Sequence, residues 1–188
     1  MNLTNYLKNT VSFPSEELKD IVAHFERESV QKNMPLVKEG QVCTKLYFIE
    51  KGVGRSYYLT EAGKEVTQWF FVEGQFMSSI ESFFQQNPSL YDLEMLEDAV
   101  LYSITRENLD LLFARYHKME KLGRLLSTEM LTRVVNKLSA IQFQTARERH
   151  DYMLTEFPDI ANRVALGHLA TYLGMTQETL SRIRRSNL

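Results

Sequence analysis

The chain has 188 residues, 44% of them hydrophobic, with a formal net charge of -2 and one cysteine, enough for one large or two small domains with real cores. A lone Cys43 excludes an intrachain disulfide and any cysteine-held zinc or iron–sulfur site within one chain. No run reaches the roughly 18 apolar residues that span a bilayer, and MNLTNYLKNT has neither region of a signal peptide, so a cytoplasmic location and no membrane partner are expected. The small net charge hides a gradient. Residues 1–110 hold 10 Lys and Arg against 17 Asp and Glu, whereas residues 111–188 hold 12 against 7, so the C-terminal part is the one suited to a polyanion.

In SFPSEELKDIVAHF, the apolar residues Leu18, Ile21, Val22 and Phe25 fall at helical spacing after a Ser/Pro start, which predicts one short amphipathic helix. From Ser29 to Phe76, short apolar or alternating runs are broken by glycine about every ten positions, the texture of a compact unit of hairpins. LTEAGKEV is the clearest turn, with Gly63 free to take a positive φ. SSIESFFQQNPS reads as a short helix ending near Asn87-Pro88, and LYDLEMLEDAVLYSIT returns to strand. From about Arg106 the period is helical. Met119, Leu122, Leu126, Met130, Val134, Leu138 and Ile141 form a stripe at steps of three or four, widened by Leu125, Leu131 and Val135. A helix of about 28 residues spans roughly 40 Å, more than a small β domain covers, so part of the stripe is expected to face a second copy of the chain. Thr145 and Glu148 then spell a capping box opening a helix closed by Pro158. The predicted fold class is α+β, divided as 1–115 (β domain), 116–144 (long helix) and 145–188 (terminal helical domain).

LGHLATYLGMTQETLSRIRR, within Leu166 to Arg185, meets the demands of a helix-turn-helix. Two helices crossing steeply need a small residue at their contact, Ala170, and a turn residue tolerant of positive φ, Gly174. Leu169, Leu173, Met175, Leu180 and Ile183 supply the core, and Thr176 can cap the second helix. Helical geometry then turns Gln177, Glu178, Ser181, Arg182 and Arg185 outward. Arg182 can donate twice to a guanine edge and Glu178 can accept from a cytosine amine, whereas Thr179, Arg184 and Arg185 suit phosphates. Glu178 and Arg182 are also i, i+4 and fit an ordinary surface ion pair. His168 reads as a surface or phosphate-contacting residue.

A short helix, a glycine-punctuated β unit, a long helix and a terminal helix-turn-helix together resemble the Crp/Fnr family of bacterial regulators over almost the whole chain. GQVCTKLYFIEKGVG, from Gly40 to Gly54, resembles the family's roll signature, and the E-x2-S-R pattern of Glu178, Ser181 and Arg182 is similar to the recognition helix of its Fnr-like branch. EFPDIANRVALGHLATYLGMTQETLSRIRR looks most like variants common in Bacteroidetes. The resemblance implies a jelly-roll-like, cyclic nucleotide-binding-like β-roll, a dimerisation helix, and Glu178, Ser181 and Arg182 as readers of a TTGAT-type half-site. Thr176, Gln177, Thr179, Arg184 and Arg185 complete the expected DNA-binding set. The implied partners are double-stranded DNA carrying an inverted repeat and a second copy of the chain.

This sequence departs from the family in two places. Cyclic-AMP binders carry a Gly-Glu pair and, about ten residues later, an Arg-Ser pair. Here Ser78-Ser79 stands for the first and Leu90-Tyr91 or a neighbour for the second, leaving no arginine for a buried phosphate. Cyclic nucleotide response is therefore not expected. Ser78, Ser79, Glu81 and Tyr91 are the candidates for an altered pocket and an unknown small-molecule effector. The chain also ends at Leu188 without the family's hairpin wing. No cofactor or metal is expected: none of the four histidines stands out as a haem ligand, and no nucleophile–base pair, HExxH or phosphate loop suggests an enzyme. A ligand-sensing module whose output is not DNA binding is the alternative.

Overall fold

The computed structural model describes residues 1–186, so the last two residues of the expected terminal domain lie outside it. The chain forms two compact units, one of Met1–Ser56 with Phe70–Thr128 and the other of Tyr57–Trp69 with Glu129 onward. The first unit opens with two helices, not one. In α1 (Leu3–Thr10), the Asn2 side chain accepts from the Asn5 amide, and Leu3 and Leu7 are buried one turn apart; α2 (Ser15–Ala23) buries Leu18 and Ile21.

Eight strands follow: β1 (Glu26–Val30), β2 (Pro35–Val37), β3 (Lys45–Lys51), β4 (Gly54–Leu59), β5 (Glu65–Phe71), β6 (Phe76–Met77), β7 (Asp92–Met95) and β8 (Ala99–Thr105). They make two four-stranded sheets, ordered β1-β8-β3-β6 and β2-β7-β4-β5. Helix α3 (Ile80–Gln85) interrupts them after β6, as SSIESFFQQNPS implies. The roll's core is aromatic and branched, with Phe48, Phe70, Phe83, Ile49, Met77, Leu93, Leu101 and Ile104 fully or almost fully buried. Burial of this kind returns about 25 cal/mol per Å² and is what holds such short strands together. Cys43 is buried, donating its thiol to the Lys45 carbonyl. Two glycines close the strand junctions. Gly52 has φ +119, and a Cβ there would lie 2.8 Å from the Ala99 Cβ; Gly63 (φ +74) makes the β4–β5 turn, donating to the Thr60 carbonyl.

The helical run from Arg106 is broken once. Thr105 caps α4 (Arg106–Arg115), which ends because Tyr116 turns to extended backbone while its hydroxyl donates to Asp20 at 2.6 Å. Helix α5 (His117–Phe143) is 27 residues long. Its first turns bury Met119 and Leu122, but Leu131, Val134, Val135, Leu138, Ile141 and Phe143 are exposed. In the second unit, Thr145 and Glu148 form both bonds of the capping box at the start of α6 (Ala146–Glu156). A single turn, α7 (Ile160–Arg163), leads to α8 (Leu166–Tyr172) and α9 (Gln177–Arg185). Met153, Phe157, Ile160, Val164, Leu169, Leu173 and Leu180 are its buried core. Among the described residues, no helix is long and apolar enough to cross a membrane.

Candidate nucleic-acid interface

Helices α8 and α9 meet as their residues require. Ala170 and Leu169 are buried at the crossing, Gly174 takes φ +64, and the Met175 amide donates to the Ala170 carbonyl at 3.0 Å, closing the turn. Arg149 of α6 braces it from outside, donating to the Leu173 and Gln144 carbonyls at 2.9 Å each, so two orphan carbonyls are satisfied by one guanidinium. Thr176 caps α9, its hydroxyl accepting from the Thr179 amide at 3.2 Å. Gly167 escaped the sequence reading. A Cβ there would stand 2.7 Å from the Gln177 amide nitrogen, so the missing side chain leaves room for the first residue of α9.

The outward face of α9 is largely open. Thr176, Gln177, Glu178, Arg182, Arg184 and Arg185 are exposed, and Thr179 and Ser181 are half-buried. Among the described residues, Glu178 and Arg182 do not form the ion pair their spacing allows. Arg182 instead donates to the Thr179 hydroxyl at 3.4 Å, a long and weak bond. Hydrogen bonds from its own backbone amide and from the Thr176 side chain hold the Glu178 carboxyl below its ordinary range, and the charges of Lys64 and Arg182 add to the effect. Glu178 sits in the first turn and Arg182, Arg184 and Arg185 in the last, the placement that the helix dipole favours at each end.

A second cation of this unit, Lys137 of α5, packs against α8 and the β4–β5 hairpin. Its ammonium is 4.0 Å from the Tyr172 ring centroid and 5.1 Å from that of Trp69, and it donates to the Gln68 carbonyl. Burial pushes its pKa down to about 8. The space beside it is about 20 Å³, room for one water molecule and not for an organic ligand.

The candidate pocket of the roll is filled by its own bonds. Ser78 donates to the Lys45 carbonyl, Ser89 donates to the Tyr91 carbonyl at 2.7 Å, and the Ser79 and Ser89 hydroxyls share a hydrogen bond of 2.8 Å; all three serines are buried. Glu81 is exposed on the first turn of α3 and joins none of these bonds. The buried cation of the roll lies elsewhere: Arg55 of β4 bonds the Glu94 carboxylate of β7 at 2.6 and 2.7 Å.

Residues 27–116, essentially the roll, match the cyclic nucleotide-binding domain family. The fumarate and nitrate reduction regulatory protein of Vibrio cholerae serotype O1 is 28% identical over 182 residues, covering 89% of this chain and 71% of that protein. The solved structure of FixK2 from Bradyrhizobium japonicum superposes with a TM-score of 0.74 at 18% identity, over 86% of this chain and 83% of that one. A Crp/Fnr-family regulator from Eubacterium rectale gives 0.70 at 19% identity, over 97% and 87%. In sequence and in fold the chain is thus similar to the Crp/Fnr regulators. Its relatives are transcription regulators, not enzymes, and the fold of roll followed by long helix is theirs.

Proposed function

We propose that this regulator works as a homodimer that reads an inverted repeat in double-stranded DNA through α9. Residues 1–115 are then a sensor-like roll, 116–144 the dimerisation helix and 145–188 the DNA-binding domain. Glu178, Ser181 and Arg182 read base edges, while Thr176, Gln177, Thr179, Arg184 and Arg185 hold phosphates and register. The observation that carries this reading is the open face of α9, where the Arg182 guanidinium is exposed and, among the described residues, held by a weak bond to Thr179. An exposed guanidinium with donors to spare is what a guanine edge requires.

The dimer rests on the apolar face of α5. Six exposed side chains from Leu131 to Phe143 lie along its C-terminal half, and a second copy of the helix would cover them. Two reading helices related by a two-fold axis then meet half-sites about one DNA turn apart. Cyclic nucleotide does not switch this regulator. Its buried serines bond one another, and a phosphate between them would be desolvated without a paired charge.

Selection from a random-sequence duplex pool at moderate salt tests the reading. Enrichment of an inverted repeat is expected, and a pool that converges on no repeat overturns it.

A further inference from the structure

The end of the β4–β5 hairpin, Tyr57–Trp69, belongs to the same compact unit as α8 and α9. Three contacts hold it there. The amide of Thr67, itself buried, donates to the Thr171 hydroxyl of α8 at 3.1 Å, and that hydroxyl donates on to the His168 carbonyl. One residue later the Gln68 carbonyl accepts from Lys137, whose ammonium also lies against Trp69 of the hairpin and Tyr172 of α8. Consecutive residues Thr67, Gln68 and Trp69 are thus tied to α8 directly and to α5 through one amine.

The turn beyond these residues is closed by its own hydrogen bonds and exposed. The Thr60 amide donates to the Lys64 carbonyl at 2.9 Å, and the Lys64 amide donates to the Thr60 hydroxyl at 3.1 Å, with Gly63 supplying the positive φ between them. The Lys64 side chain is exposed, and its charge reaches the Glu178 carboxylate on the first turn of α9, as that of Arg182 does. The hairpin anchored to α8 at Thr67 thus carries an exposed cation whose charge is felt at the first turn of α9.

We propose that Lys64 is an additional phosphate-contacting residue, placed at the edge of the DNA-reading face by the anchored tip of the hairpin. This rests on the reading of α9 as the recognition helix. A lysine acts as a point charge, so the contact adds affinity without base preference. Glu61 and Glu65 flank it in the chain, so the tip offers one cation and not a basic patch.

The test is a salt titration of the full-length protein on its enriched duplex and on a scrambled one, comparing wild type, Lys64→Gln and Arg182→Ala. Lys64→Gln should weaken both duplexes alike and reduce the slope of log affinity against log salt by about one. Arg182→Ala should weaken the enriched duplex more than the scrambled one. Unchanged affinity and slope in Lys64→Gln overturn the proposal, as does tighter binding, which would mean that the tip screens the helix. If Arg182→Ala changes nothing, the reading of α9 fails first, and the two failures are distinguishable. Lys64 is exposed, so its substitution leaves the fold intact, and a thermal melt of each variant confirms it.

Discussion

Two arginine–glutamate combinations in this molecule face opposite fates. In the roll, Arg55 and Glu94 are 39 residues apart in sequence, yet the fold brings them together at 2.6 to 2.7 Å and removes Arg55 from water. On α9, Glu178 and Arg182 are one helical turn apart and, among the described residues, do not pair; the glutamate is held by its own backbone amide and the arginine by the Thr179 hydroxyl. The same chemistry is spent inside the chain in one region and left facing outward in the other. A buried pair contributes to a particular packing at the expense of desolvation, whereas an exposed unpaired guanidinium contributes little to folding and remains free to bind.

Breaking the buried pair should have the largest effect. Glu94→Ala removes the carboxylate from a guanidinium that stays buried, and a loss of about 3 kcal/mol of stability is expected, read from the urea midpoint. DNA selectivity at equal folded fraction should not change. Arg182→Ala should do the reverse. Base preference at one position relaxes at a cost of about 1 to 3 kcal/mol in binding, while stability stays within about 0.5 kcal/mol of wild type. If Glu94→Ala instead alters base preference with its melting unchanged, the division of roles is wrong.

That division was half visible in the sequence. The elements coded by short-range rules are all present: Thr145 and Glu148 form the capping box, Thr176 caps α9, and Gly174 takes the left-handed turn. Helix α1 was missed because only Leu3 and Leu7 mark its inner face, too few to show a period. The break at Tyr116 was hidden because its hydroxyl bonds Asp20, 96 residues away. The Arg55–Glu94 pair and the Thr67–Thr171 anchor are likewise long-range, and nothing in local spacing reports them. Ser78-Ser79 and Leu90-Tyr91 showed what the pocket lacks as sequence, but the bond between Ser79 and Ser89 needed the fold to bring them together.

Lys137 sharpens the comparison from a third position, as a half-buried cation packed against two aromatic rings. Its folded pKa of about 8 lies below the ordinary lysine value of 10.5. At pH 7 it is protonated in both states, and the full cost of burial is present. Between about 8 and 10.5 the unfolded chain holds more protons than the folded one, so this group makes stability rise with pH. The gain across that window should be about 1 to 2 kcal/mol, less than burial alone implies because the Tyr172 and Trp69 rings favour the cation. Urea unfolding at pH 7.5 and pH 10 measures it. In Lys137→Met the rise should vanish; if the variant keeps it, another group is responsible.

The smallest effects separate capping from recognition. Thr145 and Thr176 both accept an amide hydrogen at a helix start, and alanine at either should cost about 1 kcal/mol of stability. Thr145 caps α6, away from the reading face, so its loss should leave DNA affinity unchanged once the folded fraction is matched. Thr176 also donates to the Thr179 hydroxyl, which in turn holds Arg182. Thr176→Ala should therefore lower DNA affinity as well as stability, because Arg182, which we propose reads a base edge, loses its tether and must be ordered on binding. Equal DNA affinity in the two capping variants would mean that Thr176 orients nothing, and that Arg182 finds its position only when DNA is present.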